Sequence, residues 1–231
     1  MKRTPEPELM DAENQVKAYS QADFSRSDTN FVDKLAEIVS ECGLSICDET
    51  LIIDLGCGPG NITEKLSLKW PSARVIGVEG SLHMVKEAHR RKEKLGLSHF
   101  VKNLNYLRCQ ISNLKTQGAI FPNSADLIVS NSFLHHIHDP TEFWEITKYL
   151  GKKDSLVFHR DLRRPKSFDY AISLQNKYQK NAPMVLKKDY LASLKAAFTI
   201  SEVKEQIKAA QLDKIEVYEF DDRYLEIFGS L

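Results

Sequence analysis

Runs of apolar residues alternate along the chain with segments of helical periodicity. Short runs rich in β-branched and aromatic residues predict five strands, over residues 51–55, 74–79, 104–110, 125–131 and 155–161. Helical patterns lie between most of these runs. Because strands that alternate with helices are typical of a parallel sheet covered by helices, the pattern predicts an α/β fold.

An amphipathic helix is predicted before the first strand. In "FVDKLAEIVSECG", residues 31–43, the apolar positions recur with helical spacing, and Gly43 is a typical stop signal. The apolar face consists of Phe31, Leu35, Ile38 and Val39. The preceding residues, 1 to about 15, are polar, and we expect them to be mobile.

Two later helix starts carry the pattern of a capping box, in which the first and fourth residues bond each other's backbone N–H groups. The two tetrapeptides are "DPTE", residues 139–142, and "TISE", residues 199–202. The first also has proline at the first helical position, where a missing N–H costs nothing. Helices are therefore predicted to begin after Asp139 and Thr199.

The C-terminus carries two further β-rich runs, "KIEVYEF" and "YLEIFGSL", joined by Asp221, Asp222 and Arg223. They predict a hairpin that closes the sheet as an antiparallel edge pair, which brings the predicted strands to seven. A chain of 231 residues suits one domain, since chains of this size bury roughly 70% of their extended surface on folding. We therefore expect a single domain over residues 1–231.

The charge balance and the cysteine content limit the classes of partner and compartment that we expect. Lys plus Arg number 32 and Asp plus Glu number 32, so no net field draws the chain to nucleic acid or to an anionic membrane, although a local basic patch is compatible with this balance. The four cysteines lack paired C-x-x-C spacing, which favours a reducing compartment and a cytoplasmic protein. No apolar secretion core or membrane-length apolar window is present.

Three glycines follow the first predicted strand in "LIIDLGCGPGNITEKL". Their spacing is G-x-G-x-G, which differs from the G-x-G-x-x-G of nicotinamide and flavin folds, but both let backbone approach a ligand where a strand turns into a helix. Pro59 stiffens the turn. Glu79 ends the second strand, nineteen residues beyond Gly60, where a carboxylate can accept hydrogen bonds from both hydroxyls of a ribose.

"DLGCGPG" followed by "VIGVEGS" resembles the first two motifs of the class I S-adenosylmethionine-dependent methyltransferases, and the resemblance extends from about Tyr19 to Leu231. It implies a Rossmann-like, seven-stranded, mostly parallel sheet with helices on both faces and an antiparallel C-terminal hairpin. It also implies S-adenosylmethionine as the cofactor and methyl transfer as the activity.

The resemblance implies a role for each residue of these motifs. Gly56, Gly58 and Gly60 would let the methionine end of the cofactor approach closely, and Asp54 would hold the turn and the ammonium group. Glu79 would bind the ribose.

The third motif of the family matches "NLNYLRCQISNL". Gln110 stands where family members usually place an aspartate that accepts from the adenine amino group; its amide oxygen accepts without a charge. Ile111 would supply a neighbouring backbone N–H, Met84 would pack on adenine, and Asn131 would lie beside the reactive methyl. The full set of expected cofactor contacts is Tyr19, Asp54, Gly56, Cys57, Gly58, Gly60, Glu79, Gly80, Met84, Gln110, Ile111 and Asn131.

Simpler interpretations stay open for some of these residues. Glu79 is also compatible with a solvated carboxylate at a strand end, although the ribose role is favoured. Met84 lies among apolar helix positions and is also compatible with an ordinary core residue. Cys57 and Cys109 are expected to be small packing residues, because nothing near them in the sequence suggests a lowered thiol pKa.

Candidate catalytic residues lie near the carboxyl ends of the fourth and fifth strands. A sulfonium already carries an activated methyl group, so in-line transfer mainly requires positioning, and a base is needed only where the acceptor loses a proton. The candidates are His135, His159 and Asp161. The surrounding "HRDLRRP" predicts either an anion site or a solvated charge run with an Arg160–Asp161 pair.

Three histidines, His135, His136 and His138, lie within four residues of each other. A zinc site needs further ligands, and the sequence shows no second cluster of Cys and His residues. No metal is therefore expected, and the histidines are expected to pack at a helix start.

The acceptor is expected to be a small molecule. Enzymes that methylate exocyclic amino groups of bases usually carry Asn/Asp-Pro-Pro-aromatic after the fourth strand, and residues 130–133 read "SNSF". Residues 1–30 and 166–198 are predicted to form a lid, with Tyr19, Phe24 and Arg26 as acceptor contacts or as ordinary packing and surface residues. A catalytically inactive cofactor-binding regulator, or methylation of protein or RNA, stays open, as does the oligomeric state.

Overall fold

One seven-stranded sheet forms the centre of the protein. The computed structural model describes residues 1–7, 9–96 and 103–231. The strands are β1 Leu51–Leu55, β2 Arg74–Glu79, β3 Leu104–Arg108, β4 Ala125–Asn131, β5 Gly151–Leu162, β6 Ile215–Glu219 and β7 Tyr224–Ser230. Their order is β3-β2-β1-β4-β5-β7-β6, and only β7 runs antiparallel to its neighbours. The predicted fold class is confirmed.

Helices lie between the strands and at the N-terminus. Within the described residues they are α1 Glu13–Gln21, α2 Ser25–Glu41, α3 Asn61–Lys69, α4 Leu82–Lys94, α5 Leu114–Gln117, α6 Pro140–Leu150, α7 Phe168–Tyr178, α8 Met184–Ala196 and α9 Ile200–Ala209. Short 3-10 turns lie at Ile111–Asn113 and Leu134–His136. No helix in the described part of the chain is long and apolar enough to cross a membrane.

Apolar side chains fill both faces of the sheet. Because side chains alternate along a strand, Ile53 of β1 joins the core on one face and Ile52 joins the core on the other. The predicted apolar face of α2 is buried in the second of these cores. Because β1 to β5 run parallel, their carboxyl ends lie at the same edge of the sheet, and the turns that follow them lie together.

Local signals located most element boundaries well. The Thr199 capping box forms in both directions, whereas the Asp139 carboxylate accepts from Thr141 N at 2.9 Å and so caps the helix without the full box. The strand predicted over 104–110 ends at Arg108, and β5 extends from Gly151 to Leu162, beyond the predicted 155–161.

The predicted antiparallel hairpin forms and ends the sheet, with β7 between β5 and β6. The prediction that the N-terminal residues are mobile needs correction. The N-terminus is not a free tail in its described residues: the Met1 ammonium donates to Lys166 O at 2.8 Å, and Arg3 Nε donates to Ala196 O at 2.6 Å. Its polar side chains have partners in distant parts of the chain, which a local pattern does not reveal.

Candidate cofactor and acceptor cavity

A cavity of about 1140 Å³ lies at the carboxyl ends of the parallel strands, with Leu55, Glu79, Asn131 and Leu162 on its wall. Open α/β sheets bind their ligands at this edge. Pockets for one small molecule typically occupy roughly 300–1,000 Å³. The cavity therefore has room for a cofactor and a small acceptor together.

The glycine turn forms part of the cavity wall. Gly56 N and Cys57 N donate to Val78 O at 2.8 and 3.0 Å, which ties the turn to β2. Gly58 has a φ of 52°, and a Cβ there would meet no atom of the described residues within 4 Å. Gly58 is therefore the glycine whose surroundings leave space for a ligand.

The other two glycines of the motif make room for the protein itself. A Cβ at Gly56 would lie 2.2 Å from the Phe133 ring, and one at Gly60 would lie 2.4 Å from the Tyr106 hydroxyl. Gly56 lines the cavity and Gly60 does not. The expectation that all three glycines serve close approach of a ligand therefore needs correction at Gly60, where packing against Tyr106 is the physical reason.

Glu79 holds the glycine turn and faces the cavity. Its Oε2 accepts from Gly58 N at 3.0 Å and its Oε1 from Ser81 N at 2.8 Å. Burial raises the pKa of this carboxyl, and the backbone hydrogen bonds from Ser81 and Gly58 lower it in part. Each carboxylate oxygen retains a second lone pair for a ligand donor. The ribose role predicted for Glu79 stays a prediction.

Unsatisfied acceptor oxygens lie next to the turn. Asp54 accepts from Thr63 Oγ1 at 2.6 Å through Oδ2, while its buried Oδ1 has no hydrogen-bond partner among the described residues. The same is true of Oδ1 of Asn61, whose Nδ2 donates to Asp28 Oδ2 at 3.2 Å. Burial raises the pKa of Asp54 to about 7 and that of Asp28 to about 6.

These oxygens fit the methionine end of S-adenosylmethionine, because an ammonium group carries three donors and a positive charge. A cation there would also favour the ionised form of Asp54 and Asp28. Asp28 and Asn61 were missed by the sequence analysis. Asn61 follows the last glycine of the turn directly, and this position was the available signal.

Both side chains predicted to contact adenine, Met84 and Gln110, line the cavity. Met84 is buried and lines the cavity, so the core and cofactor interpretations of this residue are compatible. Gln110 is exposed at the cavity edge, and its Oε1 accepts from Asn113 Nδ2 at a long 3.5 Å. Eleven of the twelve predicted cofactor contacts line the cavity; Gly60 is the exception.

The three predicted catalytic residues have different surroundings in the structure. His135 lines the cavity, whereas Asp161 lies behind it, with its Oδ1 2.6 Å from His135 Nδ1. Asp161 Oδ2 accepts from the backbone N–H groups of Phe133 and Leu134 at 2.8 and 2.6 Å. Burial lowers the pKa of His135, but the charge and hydrogen bond of Asp161 raise it, and the net direction is upward. Asp161 therefore contacts His135 and not the cavity.

His159 does not reach the cavity. Its Nδ1 is 2.9 Å from Ser130 Oγ, and its ring packs edge-on against Phe143 and Trp144. Burial alone lowers the pKa of the imidazole to about 3. The structure therefore removes His159 from the group that could contact an acceptor.

This burial predicts a pH dependence of folding stability. The native state keeps His159 neutral down to about pH 3, whereas an unfolded histidine binds a proton below about pH 6.5. The free energy of unfolding should therefore fall as the pH drops from 6.5, by about 1.4 kcal/mol per pH unit from this residue. Urea titrations of His159→Asn and the native chain between pH 7 and 4 measure the difference in slope. Equal slopes would show that native His159 binds the proton.

The arginines of "HRDLRRP" are paired. Arg160 pairs with Glu226 and donates to Asn30 Oδ1 at 3.0 Å, so the predicted Arg160–Asp161 pair is wrong. Arg163 binds Glu219 and Arg164 binds Glu202, both at 2.6 Å. Asp161 is unavailable to Arg160 because its oxygens bind His135 and two backbone N–H groups.

Two separate segments cover the cavity. The Tyr19 ring of α1 packs at a tilt against the Phe24 ring, with centroids 4.8 Å apart, and both residues line the cavity. Leu186 and Tyr190 of α8 line the same space. The structure thus brings together the two segments predicted to form a lid, while the lid motion itself stays a prediction.

Known proteins resemble this chain at two levels. A family model described as "Methyltransferase domain" matches residues 46–219. The trans-aconitate 2-methyltransferase of Escherichia coli is 31% identical over 93 residues, which are 40% of this chain and 31% of that protein. The chain thus matches about a third of this relative's length.

Solved structures match over nearly the whole chain. A SAM-dependent methyltransferase from Aquifex aeolicus superposes with a TM-score of 0.64 at 18% identity, covering 95% of this chain and 98% of that one. The plantazolicin methyltransferase BpumL, solved with a triazolic desmethyl analogue and SAH, gives 0.68 at 14% identity, covering 94% and 90%. At this identity the likeness shows a shared fold.

Proposed function

We propose that this chain, which belongs to the methyltransferase-domain family, transfers the methyl group of S-adenosylmethionine to a small-molecule acceptor. The family model spans three quarters of the chain, so the predicted family and cofactor are confirmed. We propose both the activity and the acceptor class.

The cavity, which residues of α1 and α8 line, supports the proposal of a small acceptor. Predicted cofactor contacts lie on the wall at β1, β2 and the glycine turn, and His135 and Tyr190 line the same cavity. Chain from α1 and α8 covers this space, which suits a molecule that is enclosed on binding and does not suit a polymer laid across an open surface. The E. coli relative is named for trans-aconitate, an acceptor of that size.

His135 is proposed to meet the acceptor. It is the member of the predicted catalytic set that lines the cavity, and Asp161 fixes the orientation of its ring through the bond to Nδ1. The methyl transfer itself depends on holding the acceptor in line with the sulfonium, so a small displacement of the acceptor is costly. Asp161 is a positioning residue in this scheme.

A labelling experiment tests the function. The purified chain is incubated with methyl-labelled S-adenosylmethionine and a small-molecule extract, and mass spectrometry should find label in a compound other than the cofactor. His135→Ala should lower this product roughly 100-fold while cofactor binding is retained, because the acceptor loses a contact. His89→Ala, at an exposed histidine of α4, is the control.

Other outcomes would replace the proposal. Binding of the cofactor without any labelled product would favour a regulator or partner subunit. Label found in protein or RNA would assign a macromolecular acceptor.

A further inference from the structure

Three polar side chains meet where the N-terminal segment crosses the 3-10 turn after β4. Glu6 Oε1 lies 3.5 Å from His135 Nε2 and 3.3 Å from His136 Nδ1. One ligand atom from each of the three residues lies within 4.8 Å of the others. The sequence showed the two histidines but not the carboxylate, which comes from the N-terminal segment, far away along the chain.

The other nitrogen of each histidine already has a partner. His135 Nδ1 bonds Asp161 Oδ1 at 2.6 Å. His136 has a hydrogen bond to the backbone of Pro7, and because its buried Nδ1 has no hydrogen-bond partner among the described residues, that bond belongs to Nε2. In the neutral imidazoles these bonds place the protons on His135 Nδ1 and His136 Nε2.

With both imidazoles neutral, three acceptor atoms converge. The lone pairs of His135 Nε2 and His136 Nδ1 face an oxygen of Glu6, and neutral histidines would offer that carboxylate no proton. Acceptors held at these distances repel one another unless a cation lies between them. A shared proton and a metal ion are the two candidates.

Geometry and chemistry favour the metal. In a tetrahedral zinc site with bonds of about 2.0–2.1 Å, neighbouring ligand atoms lie about 3.3 Å apart, close to the two distances that Glu6 makes. Two histidines and one glutamate also form the ligand set of some catalytic zinc sites, which keep a fourth position open.

The residues that hydrogen-bond to the proposed ligands also suit a metal site. Asp161 behind His135 is the carboxylate partner that ligating histidines commonly have, and Ser193 Oγ donates to Glu6 Oε1 at 2.9 Å. The two carboxylates, Glu6 and Asp161, balance the charge of a divalent ion.

We propose that Glu6, His135 and His136 bind one divalent transition-metal ion, with Zn²⁺ as the best match. Both histidines line the cavity, so an oxygen of the acceptor has access to the open position. His135 then meets the acceptor through the ion. The site goes beyond the proposed function, because methyl transfer from a sulfonium needs no metal and ion binding is measured without acceptor or cofactor.

The full chain is first stripped of metal with a chelator and then titrated with Zn²⁺ in a calorimeter. We expect one ion per chain. Glu6→Gln keeps the size of the side chain and weakens the ligand, so the affinity should fall at least about 100-fold, since even outer partners of ligands cost roughly 10–100-fold. Glu142→Gln, at an exposed carboxylate on the same cavity, should bind as the native chain does.

Cobalt provides a second measurement that does not depend on variants. Co²⁺ added to the native chain should give the intense visible absorption of a tetrahedral site, and Zn²⁺ should displace it. Absence of ion binding by the native chain, or equal affinities of native and Glu6→Gln chains, would overturn the proposal and leave a shared proton as the cation. Cofactor binding is measured on the same samples, so failure here is distinguishable from failure of the methyltransferase assignment.

Discussion

A chain that lacks residues 1–25 should remain folded and bind S-adenosylmethionine, yet lose methyl transfer to its acceptor. Among the described residues, none before Phe31 belongs to the two large apolar cores, so the sheet and its helices keep their main packing. The deletion removes Tyr19 and Phe24 from the cavity cover and Glu6 from His135. With water admitted and the acceptor no longer held, we expect product formation below detection.

Calorimetry with the cofactor, circular dichroism and the labelling assay measure the three properties. Tyr19→Ala in the full chain should lower product formation in the same direction, whereas Lys17→Ala, at an exposed position of the same helix, should not. Normal turnover by the truncated chain would refute the lid. Unfolding of the truncated chain would show that the segment belongs to the core and would withdraw the functional interpretation of Tyr19 and Phe24.

Glu79→Ala is expected to weaken the binding of S-adenosylmethionine by about 1–3 kcal/mol, the scale of hydrogen bonds to a charged group, which is roughly 5- to 150-fold in affinity. Two causes act together. The ribose loses its proposed acceptor, and Gly58 N and Ser81 N lose the carboxylate that holds the glycine turn. Calorimetric titration with the cofactor measures the change.

Glu79→Gln separates the two causes. Its amide has nearly the same shape and keeps one accepting oxygen, so it retains one of the two backbone bonds and should lose less affinity than alanine. An unchanged affinity in Glu79→Ala would place the ribose elsewhere in the cavity.

The glycine motif shows how far a local pattern reaches. Its position between β1 and α3 follows from the apolar run and the helical spacing alone. The separate roles of its glycines do not follow from that pattern. Gly60 is required because the Tyr106 hydroxyl lies against it, and Gly56 because the Phe133 ring does, and both rings come from distant strands and turns. Only Gly58 keeps the open space that the pattern suggested for all three.

The histidines show what a local pattern does not predict. In the sequence, His135 and His159 both lie near predicted strand ends. In the structure His159 packs against Phe143 and Trp144, whereas His135 lines the cavity. Which side of the sheet edge a side chain faces depends on the register between β4 and β5 and on the turn after β4, and neither has a local signature.

By itself the sequence determined the elements of this protein: the strands through their apolar runs, the helices through their periodicity and caps, and the cofactor motif through its glycines and Glu79. The strands and helices depend on residues close in the chain, and the cofactor motif has a fixed spacing, which is why a pattern reveals them. The tertiary structure alone decided that β7 inserts beside β5, that the polar N-terminus packs against α8, and that Glu6 meets His135 and His136. Those outcomes depend on contacts between distant residues, and their energies arise only once the sheet has brought the partners together.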